Sequence, residues 1–140
     1  MNPSQLKWAK RILYTAAAYN LFWGAVISLY PQIILFGNLP TVYMLILIRC
    51  IGMLVGVYGI AYYFSGTDPQ RYWPLVLVGL IGKVLGPLGA AYYIISGTLK
   101  LNFLWVNVFN DIIWMWPFGW IVYHCWMMEN RKPKTIPPHR

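Results

Sequence analysis

Residues 42–64 read VYMLILIRCIGMLVGVYGIAYYF, with a single charge at Arg49 and no proline. A helix rises ~1.5 Å per residue, so this stretch reaches ~34 Å, more than the ~30 Å hydrocarbon core of a bilayer. It has no polar face to turn toward water. Working outward, residues 31–40 (PQIILFGNLP) form an uncharged loop before it and 65–71 (SGTDPQR) a turn after it. Beyond these lie comparable apolar stretches at 12–30, 73–95 and 103–126, the last two joined by SGTLKLN.

Composition supports the same reading. The chain of 140 residues is 59% hydrophobic and 10% charged, against roughly 25% charged in a soluble domain. A water-soluble fold of this length could not hide so much apolar surface. In lipid every backbone polar group must be bonded internally, and long continuous apolar stretches then become helices rather than barrel strands. The expected fold is all-α: a four-transmembrane-helix bundle forming one domain over residues 1–128, with a polar tail over 129–140. Asn2-Pro3 predicts a helix start, Asn as cap and Pro in the first turn. Bases ahead of the first apolar run imitate a signal peptide, but the run is long enough to span and leads into further spans.

The net charge of +8 would point to nucleic acid in a soluble protein. Here the basic residues flank the spans, so they read as an orientation signal and as contacts to lipid headgroups; no nucleic-acid partner is expected. Lys7, Lys10, Arg11, Arg71, Arg131, Lys132, Lys134 and Arg140 fall on one side, and Lys100 alone on the other. Both termini are therefore expected in the cytoplasm, and the chain in the inner membrane as a multi-pass protein. Tyr30, Tyr72, Trp73, Trp105 and Trp126 fall near the expected interfaces, as aromatic belts do.

Packing has a signature too. Gly52-x-x-x-Gly56 on the second span and Gly82-x-x-x-Gly86 on the third let backbones approach closely, with Gly59 and Gly89 extending each pattern. The stretches 51–63 and 81–93 resemble each other, but their opposite directions favour shared packing needs over a duplicated unit.

Of the polar residues inside the spans, Asn20, Arg49, Lys83, Asn110 and Asp111 stand out. A charge near mid-bilayer costs at least ~2.5–3.5 kcal/mol and normally faces partners inside a bundle. By helical rise, Arg49 lies ~10 Å from the outer ends, Asp111 ~12 Å, Asn20 ~15 Å and Lys83 ~18 Å. They share one layer, and a buried network is expected in which Asp111 neutralises Arg49, Lys83 or both. Two cations against one carboxylate leave a formal +1. Either Lys83 is kept neutral by burial, or a small anionic or amphiphilic ligand supplies the balance. Pro87 frees the carbonyl of Lys83 and Pro117 that of Ile113, since proline removes the bond to the fourth residue back. Freed carbonyls at this depth are tolerated beside protein or a water-filled cavity.

Several chemistries are disfavoured. Cys50 and Cys125 differ in depth by ~20 Å, beyond disulfide reach. His124 is the one histidine in a span, with His139 in the tail, so paired haem ligation is not expected and no metal-ligand spacing appears. There is no phosphate loop, no Ser-His-Asp set and no pair of carboxylates. A Schiff-base lysine with Asp111 as counter-ion is formally open. No cofactor is assigned.

The segments YNLFWG (19–24), CIGMLVGVYGIAYY (50–63), DPQRYWPLVLVGLIGKVLGPLG (68–89) and NDIIWMWPF (110–118) resemble a group of small bacterial four-helix membrane proteins related to the DoxX-like superfamily. The resemblance covers roughly residues 12–126. It implies a four-helix bundle and, for some members, a link to membrane redox or sulfur metabolism or to assembly of membrane complexes; it carries over no catalytic residues. Some members bear the name alkyl hydroperoxide reductase, but this chain lacks a peroxidatic and resolving cysteine pair. The group often has glutamine where Arg49 stands, so an Arg49–Asp111 bridge is not implied family-wide. Three functions follow as expectations: a binding or carrier protein for an anionic or amphiphilic molecule, an accessory subunit of a larger membrane complex, or a membrane enzyme acting on a quinone-like or lipid ligand. Each is compatible with a homodimer.

Overall fold

The structure, a computed structural model, describes residues 1–35 and 40–131. Part of the expected 31–40 loop and residues 132–140 of the expected tail lie outside the described residues. Most of the rest is helical. Helix α1 runs Pro3–Leu29, α2 Val42–Thr67 and α3 Pro69–Ile95. A fourth rod is built from α4 (Leu104–Asn107), a π turn (Val108–Ile112) and α5 (Ile113–Arg131). Short 3-10 turns at Pro31–Leu35 and Leu101–Phe103 belong to the connections at one end.

Local chemistry sets the boundaries. The Asn2 side chain accepts from the Gln5 N–H at 2.8 Å while the Asn2 N–H donates to Gln5 Oε1 at 2.9 Å, a reciprocal cap. Thr41 Oγ1 accepts from the Met44 N–H at 3.2 Å to open α2. The expected seven-residue turn at 65–71 shrinks to Asp68, which ends α2 and caps α3 by accepting from the Arg71 N–H at 3.2 Å. Pro69 follows at the first position of α3, where its missing N–H costs nothing.

Helices α1, α2 and α3, of 27, 26 and 27 residues, are long and apolar enough to cross a membrane. The fourth rod is present but is not apolar enough to qualify on that measure; Asn107, Asn110 and Asp111 lie in its first turns. Among the described residues α1 packs on α2, α2 on α3, α3 on the fourth rod and the fourth rod back on α1. Ala9, Leu13, Ala16, Tyr62, Val76, Phe118 and Ile121 fill the centre. The outward side of α2 stays apolar and bare: Val42, Met53 and Leu54 are exposed. So large an apolar surface is what lipid covers.

The tightest contact joins α1 and α2. A Cβ at Gly24 would stand 2.6 Å from the Gly52 carbonyl oxygen and 2.6 Å from the Gly56 nitrogen, and one at Gly52 would stand 2.9 Å from the Gly24 carbonyl oxygen. Only hydrogen fits between these backbones. The two expected glycine pairs therefore fare differently. Gly52 and Gly56 meet Gly24, a partner the span-by-span reading did not assign. Gly82 and Gly86 have no backbone at their Cβ positions: Gly82 has nothing within 4 Å, and Gly86 faces the Asp111 carboxylate.

Met1, the α2–α3 turn and the end of α5 gather at one end of the bundle. The Met1 amino group touches Met128 Sδ, Cys125 Sγ lies 3.5 Å from the Pro69 carbonyl oxygen, and Trp73 Nε1 donates to Glu129 Oε2 at 2.7 Å. Cys50 is exposed on α2 and Cys125 is buried on α5.

Candidate functional site

Polar side chains from α1, α3 and the fourth rod meet inside the bundle. Lys83 is 4% exposed, Asn20 2%, Asn107 4% and Asp111 9%. Lys83 Nζ lies 3.7 Å from Asp111 Oδ1 and donates to the Asn110 carbonyl at 2.5 Å. Asn110 Nδ2 donates to Asp111 Oδ1 at 2.9 Å. Asn20 Nδ2 bonds back to the Ala16 carbonyl at 2.8 Å, and Asn20 borders the same region.

The π turn makes this geometry. Its Ile113 N–H reaches the Val108 carbonyl five residues back, a wider loop than the α-helical four. The widening turns the Asn110 carbonyl toward α3, where Lys83 takes it, and places Asp111 against Gly86: a Cβ there would stand 3.1 Å from Asp111 Oδ2. Trp114 Nε1 donates to the Phe109 carbonyl at 3.3 Å, bracing the same turn. Pro117 stands within α5 just beyond, and Pro87 within α3 one turn past Lys83.

Arg49 requires a correction. It is exposed on α2 and, among the described residues, forms no ion pair, whereas Lys83 takes Asp111. Depth along the helix was the basis of the expectation, but Arg49 is exposed and does not line the polar layer. The charge count changes with it. One lysine against one carboxylate is neutral, so the formal +1 that called for an anion disappears. Replacing Arg49 by leucine takes a charge off the outward side of a span, where a charge near mid-bilayer costs at least ~2.5–3.5 kcal/mol, and is expected to leave the unfolding temperature unchanged or raised; thermal unfolding in detergent checks this.

A cavity of about 330 Å³ adjoins the ion pair. Lys83, Asp111, Asn20, Asn107, Asn110, Tyr58 and Tyr62 give it polar groups; Trp23, Ile27, Ile51, Val55, Phe103 and Val106 give it apolar walls. Ile34 and Phe103 belong to the end opposite Met1, so the cavity lies toward that end. Its floor is Tyr62, admitted because Gly79 has no side chain: a Cβ there would stand 2.7 Å from the tyrosine ring. Among the described residues Asp111 Oδ2 accepts no hydrogen bond, and the Asn110 amide oxygen is buried without a partner. Such a site can receive a molecule that gives an acceptor to Lys83 and a proton to Asp111.

A second cleft, about 430 Å³, opens at the Met1 end and is lined by Asp68, Arg71, Trp73 and Glu129 among others. Although larger, its carboxylates are engaged, Asp68 as a helix cap and Glu129 with Trp73. It reads as the open end of the bundle. Tyr58, Tyr62 and Asn107 were not candidates in the sequence reading. Asn107 carried a usable signal, since 107, 110 and 111 follow the i, i+3, i+4 spacing of one helix face. The tyrosines carried none, being indistinguishable from packing residues.

The arrangement is that of a helical membrane protein with a buried ion pair beside a mixed polar and apolar cavity. Compared with family models, curated proteins and solved structures, the chain matches none.

Proposed function

We propose that this chain is a four-span inner-membrane protein of the DoxX-like kind that binds a small amphiphilic molecule beside Lys83 and Asp111. The observation that carries this reading is the pair itself. It is buried and neutral overall, yet among the described residues one carboxylate oxygen accepts no hydrogen bond, and a cavity of mixed polar and apolar lining lies alongside. Binding sites commonly pair apolar walls with a few placed polar groups. With Arg49 outside the layer, the favoured head group is neutral, with one acceptor and one hydroxyl or amine proton. The basic residues Lys7, Lys10, Arg11, Arg71 and Arg131 cluster at the Met1 end, which supports both termini in the cytoplasm and a cavity toward the outer side.

The test is native mass spectrometry of the protein extracted gently from its own membrane. A retained small molecule is expected in the wild type and none in Lys83→Met/Asp111→Leu, which removes both charges together. An empty wild type overturns the proposal.

A second reading, an accessory subunit of a membrane complex, rests on Arg49. It is exposed within a span, and the chain has three acidic residues. Asp111 is taken by Lys83, while Asp68 and Glu129 lie at the Met1 end, so a second copy offers Arg49 no carboxylate at its depth. A different subunit could supply one. An empty wild type that instead retains a stoichiometric protein partner supports this reading.

A further inference from the structure

We infer that the ligand is a chain-bearing membrane lipid and that it slides in sideways from the hydrocarbon, between α2 and α3. This deepens the binding role proposed above and rests on it. Gly82, Gly86 and Ile51 line the cavity and are themselves exposed, Ile51 by 52%. A cavity lined by residues this exposed is not closed off along that wall. Nothing lies within 4 Å of the Cβ position of Gly82. Gly24 and Gly52, whose Cβ positions are blocked by the facing backbone, look different. Gly82 gives clearance rather than packing.

Depth decides what can use the gap. Helix α3 spans Pro69–Ile95, so Gly82 has thirteen residues on either side. That puts it ~20 Å from each end of the rod, at the level of the bilayer centre. Ile51 stands nine residues into α2, ~14 Å from its start. The slot thus opens onto hydrocarbon. A wholly water-soluble ligand would have to dissolve in lipid first, whereas a molecule already anchored by a chain arrives there by lateral diffusion. Its head then turns inward to Lys83 and Asp111, with Trp23, Ile27 and Val55 beside the first part of the chain, and the remainder stays in the bilayer.

A diazirine-bearing monoacylglycerol is a suitable probe: its head is neutral and carries one ester carbonyl and two hydroxyls. The full chain is reconstituted in phosphatidylcholine liposomes with the probe, irradiated, and the adducts mapped by mass spectrometry. Adducts are expected on cavity and slot residues, including Ile51 and Val55. Gly82→Trp, which fills the slot, is expected to reduce them about tenfold. Gly89→Trp adds the same bulk at another open glycine outside the cavity lining and is expected to leave them unchanged. Gly82→Leu, a smaller plug, repeats the test if tryptophan lowers the unfolding temperature. Adducts that survive both plugs but vanish in Lys83→Met/Asp111→Leu overturn the sideways route and leave the binding role standing. Adducts indifferent to all these variants, or none in the cavity, overturn both.

Discussion

Replacing Asp111 by alanine is expected to cost about 3–5 kcal/mol, the usual penalty for removing one partner of a buried ion pair. The loss falls on what remains. Lys83 is 4% exposed, and its ammonium would keep only the Asn110 carbonyl as a partner. Attraction lost and desolvation left uncompensated then act in the same direction. The double variant Lys83→Met/Asp111→Leu removes both charges and is expected to recover most of the loss, because well-packed apolar side chains often replace a buried pair at little cost. Equilibrium unfolding by SDS in bicelles measures all the members of the cycle. Additive losses in the double variant would mean that the two side chains are not coupled. The ligand experiments depend on this cycle, since the double variant is the site knockout that keeps its fold.

The second large effect belongs to the α1–α2 seam. Alanine in place of Gly24 would put its methyl 2.6 Å from the Gly52 carbonyl oxygen, and backbone cannot swing aside as a side chain can. Overpacking of this kind costs about 1–3 kcal/mol, against the roughly 0.5–1 kcal/mol that alanine gains over glycine within a helix. The clash wins, and a net loss is expected. Gly56→Ala inverts the balance. Nothing stands within 4 Å of that Cβ position, so only the helix gain remains, and the variant is expected to be neutral or slightly more stable. The same unfolding assay compares the two. A Gly24 variant as stable as the Gly56 variant would show that the helices are not in backbone contact.

Much of the architecture was legible in particular stretches. The run 42–64 announced a span by length and apolarity, and α2 covers it. Asn2-Pro3 carries its cap in adjacent residues, so that helix start needed no tertiary information, whereas Asp68-Pro69 reads as part of a turn over 65–71 and in the structure opens α3. The fourth rod was legible as a helix but not as a broken one. Its π turn answers to Lys83 on α3 and to the proline that follows, and no local pattern in VFNDI displays it.

What the residues determined alone was which segments are long, apolar helices and the height at which each polar side chain sits along its own axis, because hydropathy and a rise of ~1.5 Å per residue belong to one chain segment at a time. The rotation of each helix about that axis was decided only in the packed bundle. A soluble helix shows its inward side as an apolar stripe, but a helix that is apolar all round has no stripe to read. Arg49 and Lys83 look equivalent in sequence for that reason. The contact of Gly24 with Gly52 and Gly56 sets how α1 and α2 turn toward each other, and the packing of α3 on the fourth rod turns Lys83 onto Asp111.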